Sequence, residues 1–146
     1  MSGVPEFRQQ LRPEWVDYNG HLSEAYYVLV FGFTTDALMD HVGMDAEYLR
    51  STGCSLYTVE GHVRYLREVR GDAELMVTTR IVDVGPKKLR LCHEMRVDDE
   101  VVATEEMLLL HVDGKAGKAA PFPDDLARTL SALVEPAPEY AGRSIG

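Results

Sequence analysis

The sequence predicts an α+β protein in which one curved antiparallel sheet wraps around a single long helix. An extended segment at residues 7–16 leads into an apolar helix at residues 23–42. Four segments of alternating apolar and polar residues follow, and a modest amphipathic helix at residues 123–134 comes after them. Alternating segments joined by short turns are typical of antiparallel sheets. At about 3.3 Å per residue, strands of this length can curl around a helix.

The long helix is the predicted centre of the core. It begins at Ser23, a residue type that favours the N-cap, and ends before Gly43, a residue type that favours the C-cap. Residues 25–33 are apolar on every side apart from Gly32, which has no side chain. A helix that is apolar all round is buried. Glycine costs about 1 kcal/mol relative to alanine inside a helix, so Gly32 predicts the close approach of another backbone.

The four alternating segments predict the strands of a meander, at residues 56–69, 72–84, 88–97 and 101–112. In the first of them, one face is predicted to carry Tyr57, Val59, Val63 and Tyr65. The opposite face is unusually polar for the middle of a long strand. It carries Thr58, Glu60, His62 and Arg64.

The remaining segments are short. Residues 45–50 predict one helical turn, and residues 51–55 predict a loop. Residues 135–146 are rich in proline and glycine and predict an irregular tail. Because 146 residues is the size of one domain, residues 1–146 are predicted to form a single domain.

The composition limits the kinds of partner. A net charge of −9 disfavours nucleic acid, because phosphate binding needs basic surface. No run of about 18 apolar residues is present, so no membrane span is expected. The first residues lack the apolar core of a signal peptide. Cys54 and Cys92 have no metal-like spacing, which favours free thiols and a cytoplasmic location.

The predicted sheet also implies a partner of its own kind. One sheet around one helix leaves an open edge, and proteins usually cover such edges by pairing. We therefore expect a homodimer in which two sheets join edge to edge, with a dimer of dimers as the larger alternative. The functional sites then lie at the interface.

The segment Asp17-Tyr18-Asn19-Gly20-His21 joins the first strand to the long helix. A helix N-terminus exposes unpaired N–H groups and partial positive charge. A carboxylate, an amide and an imidazole at this point suit a reaction that develops negative charge on a carbonyl oxygen. The alternative interpretation is structural, since Asn-Gly is an ordinary turn and aspartate often closes one.

These residues carry a resemblance to a known family. The pattern Trp15-x-Asp17-x-Asn19-Gly20-His21, followed by an aromatic-rich helix, resembles the acyl-CoA thioesterases of the hotdog superfamily, and in particular the 4-hydroxybenzoyl-CoA thioesterase group. A longer set of segments resembles the betainyl-CoA thioesterases of bacterial carnitine breakdown, found alone or fused behind carnitine dehydrogenase. The segments are residues 17–24, Phe31-Gly32, residues 35–38, residues 57–64 and the ending 141–146.

The resemblance implies roles for the residues of the motif. Asp17 matches the acid that relatives use as nucleophile or general base. Asn19 matches a residue that holds water or the acid, and His21 one that polarises or orients. The backbone N–H groups of residues 20–23 are expected to face the thioester carbonyl oxygen.

Other carboxylates are secondary candidates. Glu60 is predicted as a second catalytic carboxylate that reaches across the dimer, and the alternative is a solvent-facing strip or an interface salt bridge. Some relatives place their acid on the long helix, where this chain has Asp36 and Asp40. Both lie two or more turns beyond the helix start, which ranks them below Asp17.

Aromatic residues bear on the acyl group. A quaternary ammonium is recognised by aromatic faces, and Trp15, Tyr18 and Tyr27 are the first candidates for such a cage. The predicted substrate-binding residues are Trp15, Tyr18, Gly20, Tyr27, Phe31 and Tyr57. An aromatic pocket suits a benzoyl group equally well, and most of these residues have core filling as their alternative role.

The expected activity is hydrolysis of a short acyl-CoA, with betainyl-CoA as the leading substrate. No metal or redox cofactor is implied, and coenzyme A is part of the substrate. Its phosphates are expected near basic residues, with Arg64, Arg67, Lys87, Lys88 and Arg90 as candidates. Two alternatives remain open: a thioesterase for another branched or aromatic acyl-CoA, and a non-catalytic module that binds acyl-CoA. A hotdog dehydratase is disfavoured, since those enzymes arrange histidine and acid differently.

Overall fold

A six-stranded antiparallel sheet curls around one long helix in the computed structural model, which describes residues 3–146. A single 3₁₀ turn at Pro13–Trp15 follows the first strand. The elements, in chain order, are β1 (Phe7–Gln10), α1 (Glu24–Val42), α2 (Ala46–Thr52), β2 (Cys54–Tyr65), β3 (Glu74–Val84), β4 (Lys88–Val97), β5 (Glu100–Asp113), β6 (Lys118–Ala119) and α3 (Asp124–Ala132).

The strand order is β1-β3-β4-β5-β2, with the short β6 paired to β5. Every pairing between these strands is antiparallel, as predicted. The predicted four-strand meander is wrong for β2, because only β3, β4 and β5 follow one another in the sheet and β2 crosses over to pair with β5. Strand β2 is 12 residues long and pairs only with β5 in the part of the chain that the structure describes. Its outer edge therefore presents unpaired backbone groups, which is the open edge that the sequence predicts.

A bulge at Val59 changes which side chains share a face of β2. Thr58 lies opposite Leu109, and Glu60 lies opposite Leu108, so two steps along β2 match one step along β5. Val59 therefore has no partner, and the alternation reverses beyond it. The prediction is therefore wrong for Tyr57 and Thr58, which exchange faces, and right beyond the bulge, where the predicted grouping is kept. The face towards α1 carries Leu56, Thr58, Gly61, Val63 and Tyr65, and the outer face carries Tyr57, Glu60, His62 and Arg64.

Helix α1 fills the concave side of the sheet. Val30, Phe31 and Leu38 are almost completely buried against it. The predicted caps are in place, with Ser23 as N-cap and Gly43 as C-cap at a φ of 94°.

The prediction that α1 is buried on every side is wrong within one chain. Val28 is 42% exposed and Leu29 is 39% exposed, and Ala25 is exposed beside them. A Cβ at Gly32 would meet nothing within 4 Å among the described residues, so no backbone of the same chain approaches it closely. One sheet covers only one side of a helix, which leaves this apolar stripe, residues 25, 28, 29 and 32, without a cover.

Some boundaries differ from the prediction. Strand β1 ends at Gln10, because Pro13 starts the 3₁₀ turn in the segment predicted as extended. Helix α2 runs to Thr52 and β2 begins at Cys54, which replaces most of the predicted loop. The C-terminal segment 135–146 contains no helix or strand and crosses the outer face of the sheet. There Tyr140 donates to Glu94 Oε2 at 2.9 Å, and the Gly142 N–H donates to Glu106 Oε1 at 2.7 Å.

Candidate active site

The Asp17 turn, residues 17–21, brings the chain from the 3₁₀ turn into α1. The Gly20 N–H donates to the Asp17 carbonyl oxygen at 3.0 Å, and Gly20 adopts the left-handed conformation with a φ of 80°. The Asp17 side chain closes the turn as well, since its Oδ1 accepts the N–H groups of Asn19 at 2.9 Å and His21 at 3.2 Å. No residue from 3 to 146 donates to Oδ2. One carboxylate oxygen is therefore fixed by the turn, and the other is available for chemistry.

The segment after β2 holds this turn in position. The Leu22 N–H donates to the Val69 carbonyl oxygen at 2.8 Å, and the Gly71 N–H donates to that of Gly20 at 3.2 Å. A Cβ at Gly71 would lie 3.1 Å from Cγ2 of Val16, so the two segments are too close there for a larger residue without adjustment. Contacts between residues 16–22 and residues 69–71 thus fix the position of the Asp17 carboxylate relative to α1.

The N–H groups predicted to face a carbonyl oxygen are already engaged. Those of residues 20–23 all donate to backbone or carboxylate oxygens of the chain, so the prediction for them is wrong. The N–H groups of Glu24 and Ala25, in the first turn of α1, have no acceptor within residues 3–146. These two donors are the ones available to a developing oxyanion.

Asn19 and His21 both lie in the Asp17 turn. His21 Nε2 lies 3.4 Å from Glu68 Oε2, which orients the imidazole. The Asn19 side chain is exposed and forms no hydrogen bond with another described residue, so it is free to bind water. Their roles in catalysis stay predictions.

Tyr27 connects the turn to the interior of the sheet. It is buried, and its hydroxyl donates to the Arg67 carbonyl oxygen at 3.3 Å. Burial first, then the negative charge of Glu68, raises the pKa of Tyr27, and Asp17 adds to the increase. The Tyr27 ring packs edge to face against Tyr65, with centroids 5.1 Å apart.

Within the single chain, Trp15, Tyr18 and Tyr27 do not come together as the predicted aromatic cage, and their role in substrate binding stays a prediction. Trp15 is buried and stacks on Tyr26, with centroids 5.7 Å apart, so it fills the core. Tyr18, at the tip of the turn, is 98% exposed. Phe31 is also in the core, where it stacks on His93. Of the aromatic candidates, Tyr27 alone pairs with a ring at the sheet edge.

Glu60 and Tyr57 lie on the outer face of the sheet, away from α1 and the Asp17 turn. Glu60 lines a cavity of about 250 Å³ beneath the C-terminal segment, together with Arg90 and Arg143. The single chain does not bring either residue to Asp17. The role of Glu60 across a dimer and that of Tyr57 in substrate binding stay predictions.

A groove of about 930 Å³ next to the Asp17 turn contains Arg70, a residue that was not among the predicted phosphate contacts. Arg67, a predicted phosphate contact, and Arg70 both line it. The other arginines of the groove face carboxylates, as Arg67 faces Glu100. Arg70 forms no ion pair with any residue from 3 to 146.

Neither a metal-binding cluster nor a membrane-spanning helix is present among residues 3–146. No group of three or more histidine, cysteine, aspartate or glutamate residues within 3–146 is arranged to hold a metal ion. No helix in that range is long and apolar enough to cross a membrane.

The fold and the Asp17 site together define the class of protein, a hotdog domain with an acid at the start of its central helix. The family model of the thioesterase-like superfamily matches residues 11–130. The chain therefore belongs to the thioesterase-like superfamily.

Curated relatives of this chain carry names that include betainyl-CoA thioesterase. The L-carnitine dehydrogenase/betainyl-CoA thioesterase of Agrobacterium fabrum is 48% identical over 136 residues, which is 90% of this chain. The chain spans only 28% of the length of that relative. The betainyl-CoA thioesterase of Pseudomonas aeruginosa is 40% identical over 141 residues, which is 92% of this chain and 89% of the relative.

Solved structures agree with the fold. A proposed thioesterase from Pseudomonas putida KT2440 superposes with a TM-score of 0.84 at 41% identity, covering 99% of this chain and 98% of that one. A Staphylococcus aureus protein solved in complex with CoA gives a TM-score of 0.92 at 21% identity, covering 100% and 96%. At that identity the second likeness supports the fold alone.

Proposed function

We propose that this protein is an acyl-CoA thioesterase that hydrolyses betainyl-CoA to glycine betaine and coenzyme A. The observation that carries the proposal is the Asp17 carboxylate, held with Oδ2 free in the turn that leads into α1, together with the unpaired N–H groups in the first turn of that helix. The substrate is inferred from the names of relatives, of which the Pseudomonas aeruginosa betainyl-CoA thioesterase is 40% identical over 141 residues.

The geometry supports hydrolysis in the following way. Attack on the thioester carbonyl forms a new C–O bond and places negative charge on the carbonyl oxygen. The N–H groups of Glu24 and Ala25 are the donors for that charge, aided by the positive end of the α1 dipole. The C–S bond then breaks, and the thiolate of coenzyme A takes the proton that water loses.

Asp17 serves this reaction in one of two ways. As a general base, Oδ2 accepts a proton from the attacking water. As a nucleophile, Oδ2 attacks the carbonyl itself and forms an anhydride that water then opens. A single turnover in water labelled with oxygen-18 separates them where water opens the anhydride at the Asp17 carbonyl. The label then enters Asp17 and the product acid takes an unlabelled oxygen from it, whereas general-base attack places the label in the product.

A homodimer is part of the proposal. The stripe on α1 exposes Val28 and Leu29, and the open edge of β2 exposes Tyr57 and Val59. Apolar side chains next to a free strand edge favour pairing with a second copy. Gly32 on the same stripe leaves room for the close backbone approach that its sequence position predicts.

Coenzyme A is proposed to lie along the groove that contains Arg70. The guanidinium of Arg70 has no ion-pair partner in the described chain, which leaves it available for a phosphate. The proposed reaction uses no metal or redox cofactor. We also propose a cytoplasmic location, because coenzyme A thioesters are made and used in the cytoplasm.

The test is a thiol-release assay over a panel of acyl-CoA substrates. The panel contains betainyl-, acetyl-, butyryl-, benzoyl- and long-chain acyl-CoA. We expect kcat/KM for betainyl-CoA to exceed that for the other substrates by about tenfold or more, which corresponds to ~1.4 kcal/mol in transition-state stabilisation. Preference for a neutral acyl group would keep the thioesterase and discard betainyl-CoA.

The assay also addresses the non-catalytic alternative. The turn bonds of Asp17 explain its presence without chemistry, so a module that only binds acyl-CoA remains the competing function. Tight binding of every acyl-CoA in the panel without thiol release would establish that alternative. Thiol release that depends on Asp17 would exclude it.

A further inference from the structure

A buried carboxylate, Glu105, lies on the concave side of the sheet. It sits in the middle of β5, opposite Val63 of β2 and His93 of β4. Opposed residues share a face, and that face is turned towards α1. Glu105 is only 5% exposed.

Nothing in the described chain compensates the charge of Glu105. No residue from 3 to 146 forms a hydrogen bond or an ion pair with its carboxylate. Burial raises the pKa of Glu105 to about 7. The adjacent Glu106 and the nearby Glu94, in contrast, each contact an arginine and the C-terminal segment.

The neighbouring histidine does not supply the missing cation. His93 Nε2 lies 2.8 Å from the Thr35 hydroxyl, and its Nδ1 lies 2.8 Å from the Thr79 hydroxyl. Complete burial lowers the pKa of His93 to about 3, so the ring is neutral. A buried carboxylate without a partner is costly, and such groups usually have a role that retains them.

The surroundings of Glu105 suit an organic cation. Tyr65 lies opposite Ala103, two residues from Glu105 on the same face, so the carboxylate and this residue are diagonal neighbours across β2 and β5. Tyr65 is 45% exposed at the edge of the sheet, and its ring packs against Tyr27. At Gly61 a Cβ would lie 3.7 Å from Glu105 Oε2, so the glycine leaves that position open.

The location also fits the size of the acyl group. In a betainyl thioester the quaternary nitrogen is separated from the carbonyl carbon by a single methylene group. The groups that bind it must therefore lie near the group that attacks the carbonyl. Tyr27 links the two regions, because its ring packs against Tyr65 and its hydroxyl donates to the carbonyl oxygen of Arg67, in the segment that holds the Asp17 turn.

We propose that Glu105, together with the rings of Tyr27 and Tyr65, binds the trimethylammonium end of the acyl group and sets the preference for a cationic substrate. This inference rests on the proposed function. Aromatic faces attract quaternary ammonium groups, and a carboxylate beside them supplies the opposite charge in a site from which water is largely excluded.

The test compares two substrates of the same shape. Betainyl-CoA carries a trimethylammonium group where 3,3-dimethylbutyryl-CoA carries a neutral tert-butyl group. Glu105→Gln keeps the size of the side chain and removes its charge. We expect the substitution to lower kcat/KM for betainyl-CoA by about 30-fold or more, as for loss of one partner of a buried charge pair. For the neutral substrate we expect a change of less than about threefold, as for a contact that involves no charge.

Two variants complete the experiment. Glu106→Gln changes the next residue, which lies on the outer face, and is expected to leave the ratio of the two substrates unchanged. Glu105→Asp keeps the charge and is expected to retain part of the preference, and it carries the test where Glu105→Gln does not fold. Equal losses on both substrates, or an unchanged preference in Glu105→Gln, would overturn the role of Glu105.

The wild-type rates keep this inference separate from the proposed function. A wild-type enzyme that does not prefer betainyl-CoA to its neutral analogue overturns the proposed substrate, and the inference with it. A wild-type enzyme with that preference, unchanged in Glu105→Gln, overturns only the inference.

Discussion

Oδ1 of Asp17 accepts the backbone N–H of Asn19 at 2.9 Å, so the candidate catalytic acid also closes the turn in which it lies. The same oxygen accepts the N–H of His21. Oδ1 thus holds the turn, and Oδ2 is available for the proposed reaction. Substitutions at this position separate the two contributions.

Asp17→Asn is expected to abolish catalysis without unfolding the turn. The asparagine amide oxygen replaces Oδ1 as an acceptor for both N–H groups, whereas the negative charge needed for attack is lost. We expect kcat to fall by about a thousandfold or more, by analogy with the loss of a catalytic base or nucleophile. The measurement is steady-state thiol release, with the melting temperature recorded for the same samples.

Asp17→Ala is the matched control. It removes the acceptor as well as the charge, and each lost hydrogen bond costs about 1 kcal/mol. We expect Asp17→Ala to be less stable to urea than Asp17→Asn, with kcat equally low in both. Near-normal turnover by Asp17→Asn would move the catalytic acid elsewhere, with Asp36 on α1 as the next candidate.

Arg70→Ala is expected to weaken binding of coenzyme A and not the chemical step. Because the Arg70 side chain lines the groove without an ion-pair partner in the described chain, its loss removes the proposed phosphate contact and breaks no ion pair within residues 3–146. We expect KM for acyl-CoA to rise by about tenfold, equivalent to ~1.4 kcal/mol, with kcat little changed.

A truncated substrate provides the control for Arg70. An N-acetylcysteamine thioester has the same acyl group and no phosphates, so its kcat/KM is expected to be the same in the wild type and in Arg70→Ala. Arg50→Ala, which removes an exposed arginine paired with Glu47 on α2, is expected to change neither substrate. A loss of similar size on both substrates would assign Arg70 to the structure of the Asp17 turn.

Val28→Glu is expected to dissociate the proposed dimer. A charge placed in the middle of the apolar stripe on α1 faces the second copy and is desolvated there. Sedimentation is expected to show a dimer for the wild type and a monomer for Val28→Glu, with activity reduced in parallel.

Leu49→Glu serves as the control for the stripe. Leu49 is similarly exposed but lies on α2, so its substitution is expected to leave the dimer intact. A monomeric wild-type protein with full activity would exclude a dimeric active site.

The charge of Glu105 is expected to lower stability as pH rises. Its pKa is raised from 4.5 to about 7 by burial, so between these values the folded chain holds a proton that the unfolded chain has lost. The unfolding free energy therefore falls with increasing pH through this window, by on the order of 2 kcal/mol. Glu105→Gln cannot lose that proton and is free of the effect.

Urea unfolding at pH 5 and pH 8 checks this prediction. The wild type is expected to lose stability relative to Glu105→Gln between the two values, whereas Glu106→Gln is expected to follow the wild type. Groups far from residues 105 and 106 contribute equally in all three proteins and cancel in the comparison. An equal change of unfolding free energy with pH in the wild type and in Glu105→Gln would mean that burial does not raise the pKa of Glu105 in solution.

The sequence predicted those features that local chemistry determines. The caps of α1 at Ser23 and Gly43 and the order of the elements along the chain were confirmed. The place of β2 in the sheet was predicted wrongly, because β2 pairs with β5 and not with β3. The resemblance carried by the Asp17 motif was confirmed by the family match over residues 11–130. Turn chemistry and hydrophobic periodicity are properties of neighbouring residues, so they can be read without the rest of the fold.

Features that depend on pairing between distant segments were missed. The alternation in β2 continues unbroken through Val59 in the sequence, and only the register against β5 reveals the bulge. The engagement of the N–H groups of residues 20–23 depends on partners in other segments, such as Val69.

Glu105 had a signal that the sequence analysis did not use. Ala103, Met107 and Leu109 lie at alternate positions on the same face of β5 and are all buried. A glutamate in that series is an ionisable residue at a core position. The predicted burial of the whole of α1, in turn, was wrong for one chain because periodicity does not distinguish a core from an interface between copies.

The hydrogen bonds that Asp17 Oδ1 accepts also determine when the Asp17 side chain loses its conformational entropy. A free aspartate samples several rotamers, and an enzyme that uses one must restrict that freedom in every cycle. Here the backbones of Asn19 and His21 select the rotamer when the chain folds. The ordering cost is then part of the folding free energy and does not recur at each turnover, so in the proposed mechanism the Asp17 carboxylate contributes little to the activation entropy.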